Sequence, residues 1–505
     1  MDIRSSVLLG STNLMAMGHP FAGPTDPIHP VTRLPIGGIP LMIDVRTREV
    51  IVIDPWLLKD AKIITSAFGI VLGPKGHGKS SLMKVLANRL CLLTAGYDRM
   101  RISINDYKPE GKDSEYELFT RRMRSKTFKI ASMQVNPFEA QLFMGDDQNL
   151  HELSILRLAE VLVEFEHGSP LVGDNAEALR VGVSRMLGYD QIFWSPGLLF
   201  DCLRQISDED ITKYNNGLKQ RLREQMQHSL DVLGDSTMTW SVETQMNSVT
   251  NGGANLSYEN IKRAGMYVSS LLGNILHASY GHMFGTAHSM YDMLTQRAVT
   301  KDWRGVPPRA EQLMRILQTQ IKISAIENNR LDLLPHIELD DEFHKSMGDV
   351  LLARAHSHFS EIARGTHTCN ISATHRFRSI RRGGVGSDLY NLGSTIIDNL
   401  GFALIGRHEN TDPGLDEVCE RYDLSRNDRN MLTMLPDYTF GIKLGQKQRI
   451  RYGRVFALPS EMGFLGTDSS TDRMIDRPGI GTLYPEQLLR YAEQNGIAYI
   501  QPEAA

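Results

Sequence analysis

The stretch Gly73-Pro74-Lys75-Gly76-His77-Gly78-Lys79-Ser80 fits the pattern G-x-x-x-x-G-K-[ST] at every fixed position. Glycines let a backbone curl until successive N–H groups face one phosphate cluster. A lysine at the place of Lys79 reaches the β- and γ-phosphates as a point charge. A hydroxyl at the place of Ser80 ligates Mg²⁺. The candidate contacts to ATP are therefore Gly73, Pro74, Lys75, Gly76, His77, Gly78, Lys79, Ser80 and the adjoining Ser81.

Hydrolysis needs more than a phosphate cradle. The pair Asp341-Glu342 supplies two carboxylates in series. At the tip of a strand, the first can hold Mg²⁺ and the second can orient the attacking water. Asp341 is assigned to the metal and Glu342 to the water, with Asp340 as the substitute for Asp341. The same acidic run would also suit the positive start of a helix. Thr374-His375 places a ring donor where a γ-phosphate could be sensed, although a surface histidine in a basic loop reads the same way. Arg364 suits an arginine finger acting on a neighbour's phosphates, or a solvated arginine at a helix end. Arg376, Arg378, Arg381 and Arg382 form a basic loop without the aromatic residues that base stacking would want.

The elements around these residues follow from periodicity. Phe68–Leu72 reads as a buried strand leading into the loop, and Lys79–Leu93 as the helix leaving it, with Leu82, Val85, Leu86 and Leu90 on one face. A phosphate is thereby expected at a helix N-terminus. Leu41–Val45 and Val50–Ile53 predict a hairpin before the loop. Arg101–Asp106, Ala131–Phe138, His336–Glu342, Thr368–Thr374 and Phe402–Gly406 predict strands of a mainly parallel sheet. Tyr438–Leu444 and Ile450–Leu458 predict a second hairpin, turning at Gly445. From about Gln141 to Lys322 the pattern is mainly helical, as in Leu153–Phe165, Ala176–Met186 and Leu218–Leu233, with a break at Asn251–Asn255. That is too long for one crossover, so it predicts a helical subdomain inserted into an α/β core.

The composition narrows the class. The chain has 505 residues, 41% hydrophobic and 23% charged, and a formal net charge of −4. That balance is typical of a water-soluble multidomain protein. It argues against a chain coated in nucleic acid. No apolar run approaches the roughly 18 residues of a membrane span, and Met1–Arg4 does not start a secretory signal. The four cysteines are scattered, as reduced thiols of a cytoplasmic protein would be.

Taken in order, Gly73–Ser80, Asn136-Pro137-Phe138, Tyr280–Phe284, Asp341-Glu342, Arg364-Gly365 and Ala373–Arg376 resemble the conjugative secretion ATPases of the TraC/VirB type, in the HerA–FtsK superfamily. The resemblance runs from about Gly37 to Leu458. It implies a RecA-like P-loop core, an inserted all-helical subdomain, and ATP held between the subunits of a homo-hexameric ring. It implies work at the inner face of the cell membrane, with secretion or conjugation proteins as partners and DNA as a further candidate. Lys79, Ser80, Asp341, Glu342 and Arg364 take their roles by motif. His375 stands where the family has Gln, and the separate N-terminal domain of many members has no counterpart in the roughly 35 residues before the hairpin.

The expected organisation is an arm and hairpin (1–60), a first core segment (61–140), the helical subdomain (141–322), a second core segment (323–465) and a tail (466–505). The expected function is an ATP-hydrolysing motor for conjugative DNA transfer or type IV secretion. Its rivals are a DNA translocase or packaging ATPase of the same superfamily, and a nucleotide-switched regulatory module.

Overall fold

The structure is a computed structural model that describes residues 39–47, 50–93, 101–106, 116–122, 126–139, 142, 148–233, 258–285, 289–296, 298–327, 336–365, 368–456, 461 and 464. The arm at 1–35, the break at Asn251–Asn255 and the tail at 466–505 lie outside them.

The described strands form one sheet: β1 (Ile39–Asp44), β2 (Val50–Ile53), β3 (Gly69–Leu72), β4 (Arg101–Asp106), β5 (Lys126–Lys129), β6 (Ala298–Asp302), β7 (His336–Asp340), β8 (Thr368–Thr374), β9 (Phe402–Ile405), β10 (Thr439–Leu444) and β11 (Arg451–Val455). The order is β2-β1-β11-β10-β9-β3-β8-β7-β4-β6-β5. From β9 to β5 all neighbours run parallel. From β9 to β2 they run antiparallel. The two expected hairpins therefore lie side by side, joined through Met42 opposite Val455.

Of the parallel strands, β3 and β9 are buried on both faces, which explains their unbroken apolar runs. Ile102, Ile104, Ile337, Leu339, Ile371 and Ala373 enter one core with Leu82, Val85, Leu86 and Leu90 of α2 (Lys79–Leu93). α1 (Pro55–Asp60) begins with Asp54 capping the N–H groups of Trp56 and Leu57. α3 (Glu117–Arg122) brings Phe119 to the same core.

Two strands differ from expectation. Ala131–Phe138 is not a strand: a short 3₁₀ turn spans Ile130–Ser132, and Val135 makes only an isolated bridge to Phe284. The strand lies just before it, in β5, whose Lys-Thr-Phe-Lys carries one buried residue and gives little apolar signal. β6 lies inside the stretch read as helical, and pairs with β4 and β5.

The chain divides into two compact units, 1–130 with 295–306 and 331–505, and 131–294 with 307–330. The second holds α4 (Gln148–His167), α5 (Asp174–Leu187), α6 (Pro196–Arg204), α7 (Asp208–Leu233), α8 (Tyr258–Leu276), α9 (Ser289–Thr295, up to Leu294) and α10 (Pro308–Glu327). Asn136 works within this unit. Its side-chain oxygen accepts from Phe138 N at 3.0 Å, and its amide donates to Trp194 O at 2.7 Å. The Asn-Pro-Phe motif is thus a buried turn that ties down the approach to α6.

Four more helices complete the first unit: α11 (Val350–Ile362), α12 (Asp388–Asp398), α13 (Pro413–Tyr422) and α14 (Arg426–Met434). No helix among the described residues is long and apolar enough to cross a membrane.

Candidate nucleotide site

β3, the loop and α2 follow one another as the motif requires. Leu72 ends the strand and Lys79 opens the helix. Gly76 and Gly78 adopt φ of 83° and 82°, a region that side-chain-bearing residues rarely occupy. Lys79 is buried, and its Nζ donates to Gly73 O at 2.7 Å and Pro74 O at 2.8 Å. The ammonium is folded onto the loop's own carbonyls, at the centre of the cradle it would serve.

Parallel register brings the carboxylates to the same edge. Leu72 pairs with Thr374, and Asp340 with Ser372, so the strand ends meet beside the loop. Ser80 Oγ donates to Asp341 Oδ2 at 2.8 Å. The Tyr116 hydroxyl approaches the same oxygen at 3.3 Å, and Glu342 N donates to Oδ1 at 3.0 Å.

Asp340 has a different occupation. Side chains alternate along a strand, and this one accepts from Asn105 Nδ2 at 2.5 Å and Asn370 Nδ2 at 3.1 Å. Asn105 also donates to Glu338 at 3.0 Å, and Ser372 to Asn370 at 2.8 Å. The polar residues of β7 thus belong to a buried network linking β4, β7 and β8. Asp341 is the carboxylate that meets Ser80, and Asp340 holds the strands beneath it.

Glu342 stands in the left-handed region, at φ 57° and ψ 41°. That conformation is costly for a non-glycine residue and concentrates at functional sites. It lies 3.4 Å from His375 Nε2 and 3.3 Å from His344 Nδ1. The His375 contact holds its carboxyl down at about 2, against burial, which pushes up. His375 also lies 3.2 Å from Gly73 O and 3.4 Å from Lys79 Nζ through Nδ1. One imidazole therefore touches the loop, its lysine and the Glu342 carboxylate.

Arg364 is not brought to this cluster. It is exposed in a 3₁₀ turn before β8, while His375 follows the other end of that seven-residue strand. At about 3.3 Å per residue the strand spans roughly 20 Å. Its guanidinium donates to Asn399, whose amide donates to Ser360 at 2.7 Å. In the basic loop, Arg376 pairs with Asp412 at 2.9 Å, and Arg381 lies over the Tyr390 ring.

Three residues to which the sequence reading gave no site role border the loop from the other side. His77 Nδ1 lies 3.1 Å from Asp437 Oδ1, and Arg407 lies 3.8 Å from the same oxygen. Tyr438 meets Gly78 so closely that a Cβ there would sit 2.5 Å from its Cδ1. Only a three-dimensional contact across some 360 residues relates Asp437 to His77, so no local pattern announces it.

The donor set fits a nucleotide with Mg²⁺. The ion keeps most of its waters and takes one or two carboxylates plus phosphate oxygens, and Ser80 with Asp341 offers such hard oxygens. Among the described residues no group of three or more His, Cys, Asp or Glu could hold a metal ion.

No protein-family model matches the chain, and no curated protein does. Solved structures do. VirB4 of Thermoanaerobacter pseudethanolicus superposes with a TM-score of 0.54 at 14% identity, over 84% of this chain and 98% of that one. The plasmid coupling protein TrwB, in complex with ADP and Mg²⁺, gives 0.41 at 13% identity, over 80% and 88%. The VirB4 likeness is one of fold: a mixed α/β chain with one large, mostly parallel sheet, the RecA-like P-loop architecture expected from the motifs.

Proposed function

We propose that this chain is an ATP-hydrolysing motor that powers conjugative DNA transfer or type IV secretion as a homo-hexameric ring. The observation that supports it best is the convergence on one edge of the sheet of Lys79, the Ser80–Asp341 pair and an ionised Glu342. The fold shared with VirB4 supports the biological setting.

In this reading the loop N–H groups and Lys79 bind the phosphates, Lys79 exchanging Gly73 O and Pro74 O for phosphate oxygens. Ser80 and Asp341 hold Mg²⁺, which when bound neutralises charge on the β- and γ-phosphates. Glu342 orients the attacking water. A carboxylate held near 2 is a weak base. Release of the His375 contact would raise its basicity, and His375 is placed to exchange Glu342 for a γ-phosphate oxygen. The γ-phosphate would thereby switch on the carboxylate that activates the attacking water. Arg364, on the far edge from its own loop, would act only on a neighbour's nucleotide.

The test is phosphate release from ATP and Mg²⁺, with and without DNA, alongside molar mass by light scattering. Turnover by a particle near 6 × 56.7 ≈ 340 kDa is expected. Strong stimulation by DNA would favour a translocase that grips DNA itself. Absence of turnover with nucleotide bound would favour a regulatory module.

A further inference from the structure

The hydrolytic groups occupy one flank of the phosphate loop. Asp341, Glu342 and His375 follow β7 and β8, on one side of β3 in the sheet. A nucleoside triphosphate whose γ-phosphate faces those residues must send its ribose and base toward the opposite flank, where β9 and β10 lie. That flank carries Arg407 after β9, and Asp437 and Tyr438 before β10.

Tyr438 has three features that packing alone does not require. The residue is 49% exposed although its ring lies against the loop. Its backbone is at φ 61°, a region where a bulky residue is an outlier. Glycine would suit that backbone better, so the aromatic ring stands there against local preference. The contact with Gly78 is made by the Cδ1–Cε1 edge of the ring. The adjoining Asp437 reaches the loop through His77, and Val455 N donates to Tyr438 O at 2.9 Å. The loop therefore lies against the ring, and the β10–β11 hairpin holds the backbone that carries it.

We infer that Tyr438 is the stacking platform for the nucleobase, with Asp437 and His77 fixing its distance from the phosphate loop. The inference rests on the nucleotide-site reading above and adds how the site holds the rest of its ligand. An aromatic face accepts any base, so the site discriminates weakly. Purine triphosphates bind ahead of pyrimidine triphosphates because their rings offer more area to stack.

The experiment is calorimetric binding of ATP, CTP and inorganic tripolyphosphate, each with Mg²⁺, to the full chain and to three variants. Tyr438→Gly removes the ring while easing the backbone, so its melting temperature should not fall. Its affinity for ATP should drop about ten-fold, in line with one base–aromatic stack, while its affinity for tripolyphosphate stays at the parent value. Tyr438→Phe should bind ATP like the parent. Lys79→Ala should lose all three ligands. An equal loss of ATP and tripolyphosphate in Tyr438→Gly would overturn the inference and leave the ring as a support for the loop. So would a parent chain that binds ATP no better than tripolyphosphate. A parent chain that binds neither would overturn the nucleotide site itself, and this inference with it.

Discussion

Ser80 and Asp341 are joined by a 2.8 Å hydrogen bond between residues 261 positions apart. The hydroxyl that opens α2 and the carboxylate that follows β7 already share the point where an ion would sit. Neighbouring carboxylates therefore make separable predictions. Asp340→Ala removes the acceptor of the Asn105 and Asn370 amides, and should cost about 1–3 kcal/mol for each buried amide left unsatisfied. Asp341→Asn should leave the melting temperature near the parent value and weaken Mg²⁺-dependent nucleotide binding, on the order of ten-fold or more. Thermal melts and nucleotide titrations of the two variants check this. Equal melting losses would remove the distinction.

Lys79→Ala should abolish nucleotide binding, since the loop loses its positioned cation. Glu342→Gln should keep binding and lower turnover by roughly 10²–10⁴-fold, because the amide cannot accept the water's proton. Phosphate release and filter binding separate the two. Parent-like turnover in Glu342→Gln would take the water from this residue.

The ionisation of Glu342 can be followed directly. Its carboxyl moves from an ordinary 4.5 down to about 2, chiefly through His375. A group whose pKa falls on folding contributes stability that is present above pH 4.5 and lost as pH drops toward 2. In His375→Ala the carboxyl should titrate closer to 4.5. Carboxyl-carbon NMR of selectively labelled glutamate would report the shift, and an unchanged titration would mean that His375 does not hold the charge.

Arg364 separates two assignments. If it acts on a neighbour, Arg364→Ala and Glu342→Gln chains are each inactive, yet mixed rings contain some interfaces with both groups sound. Mixing should then restore a modest fraction of the parent phosphate release. The hydrogen bonds from Arg364 to Asn399 and on to Ser360 suit a structural role instead. Under that role, mixing restores nothing and Arg364→Ala melts earlier. A flat response in rings shown to have exchanged subunits would decide for structure.

How legible the chain was depends on where the information resides. Gly73–Ser80, β3, α2, β4, β8 and both hairpins were readable because local pattern and final environment agree. β5 and β6 were not, because Lys126, Lys129, Lys301 and Asp302 look like surface residues. Lys301 and Asp302 are nonetheless buried in the sheet. The place of Asp340 in β7 was not readable either, because its partners Asn105 and Asn370 come from β4 and β8. Tyr438 and Asp437 gave no signal, because their role depends on contact with His77 and Gly78.

The pairing of Met42 with Val455 sets an order of events. A chain emerging from the ribosome presents β1 and β2 before the other described strands, but the strand that flanks them arrives about 400 residues later. Until then they form a two-stranded ribbon, which is marginal in water on its own. Arg89 shares the delay. Its buried guanidinium donates to Pro40 O at 2.6 Å, and also to Phe456 O and Glu461, which are synthesised some 370 residues after it. Joining these two hairpins, so far apart in the chain, is thus the slow, long-range closure of this fold. The nascent protein must keep its first hairpin from pairing elsewhere until the last one is made.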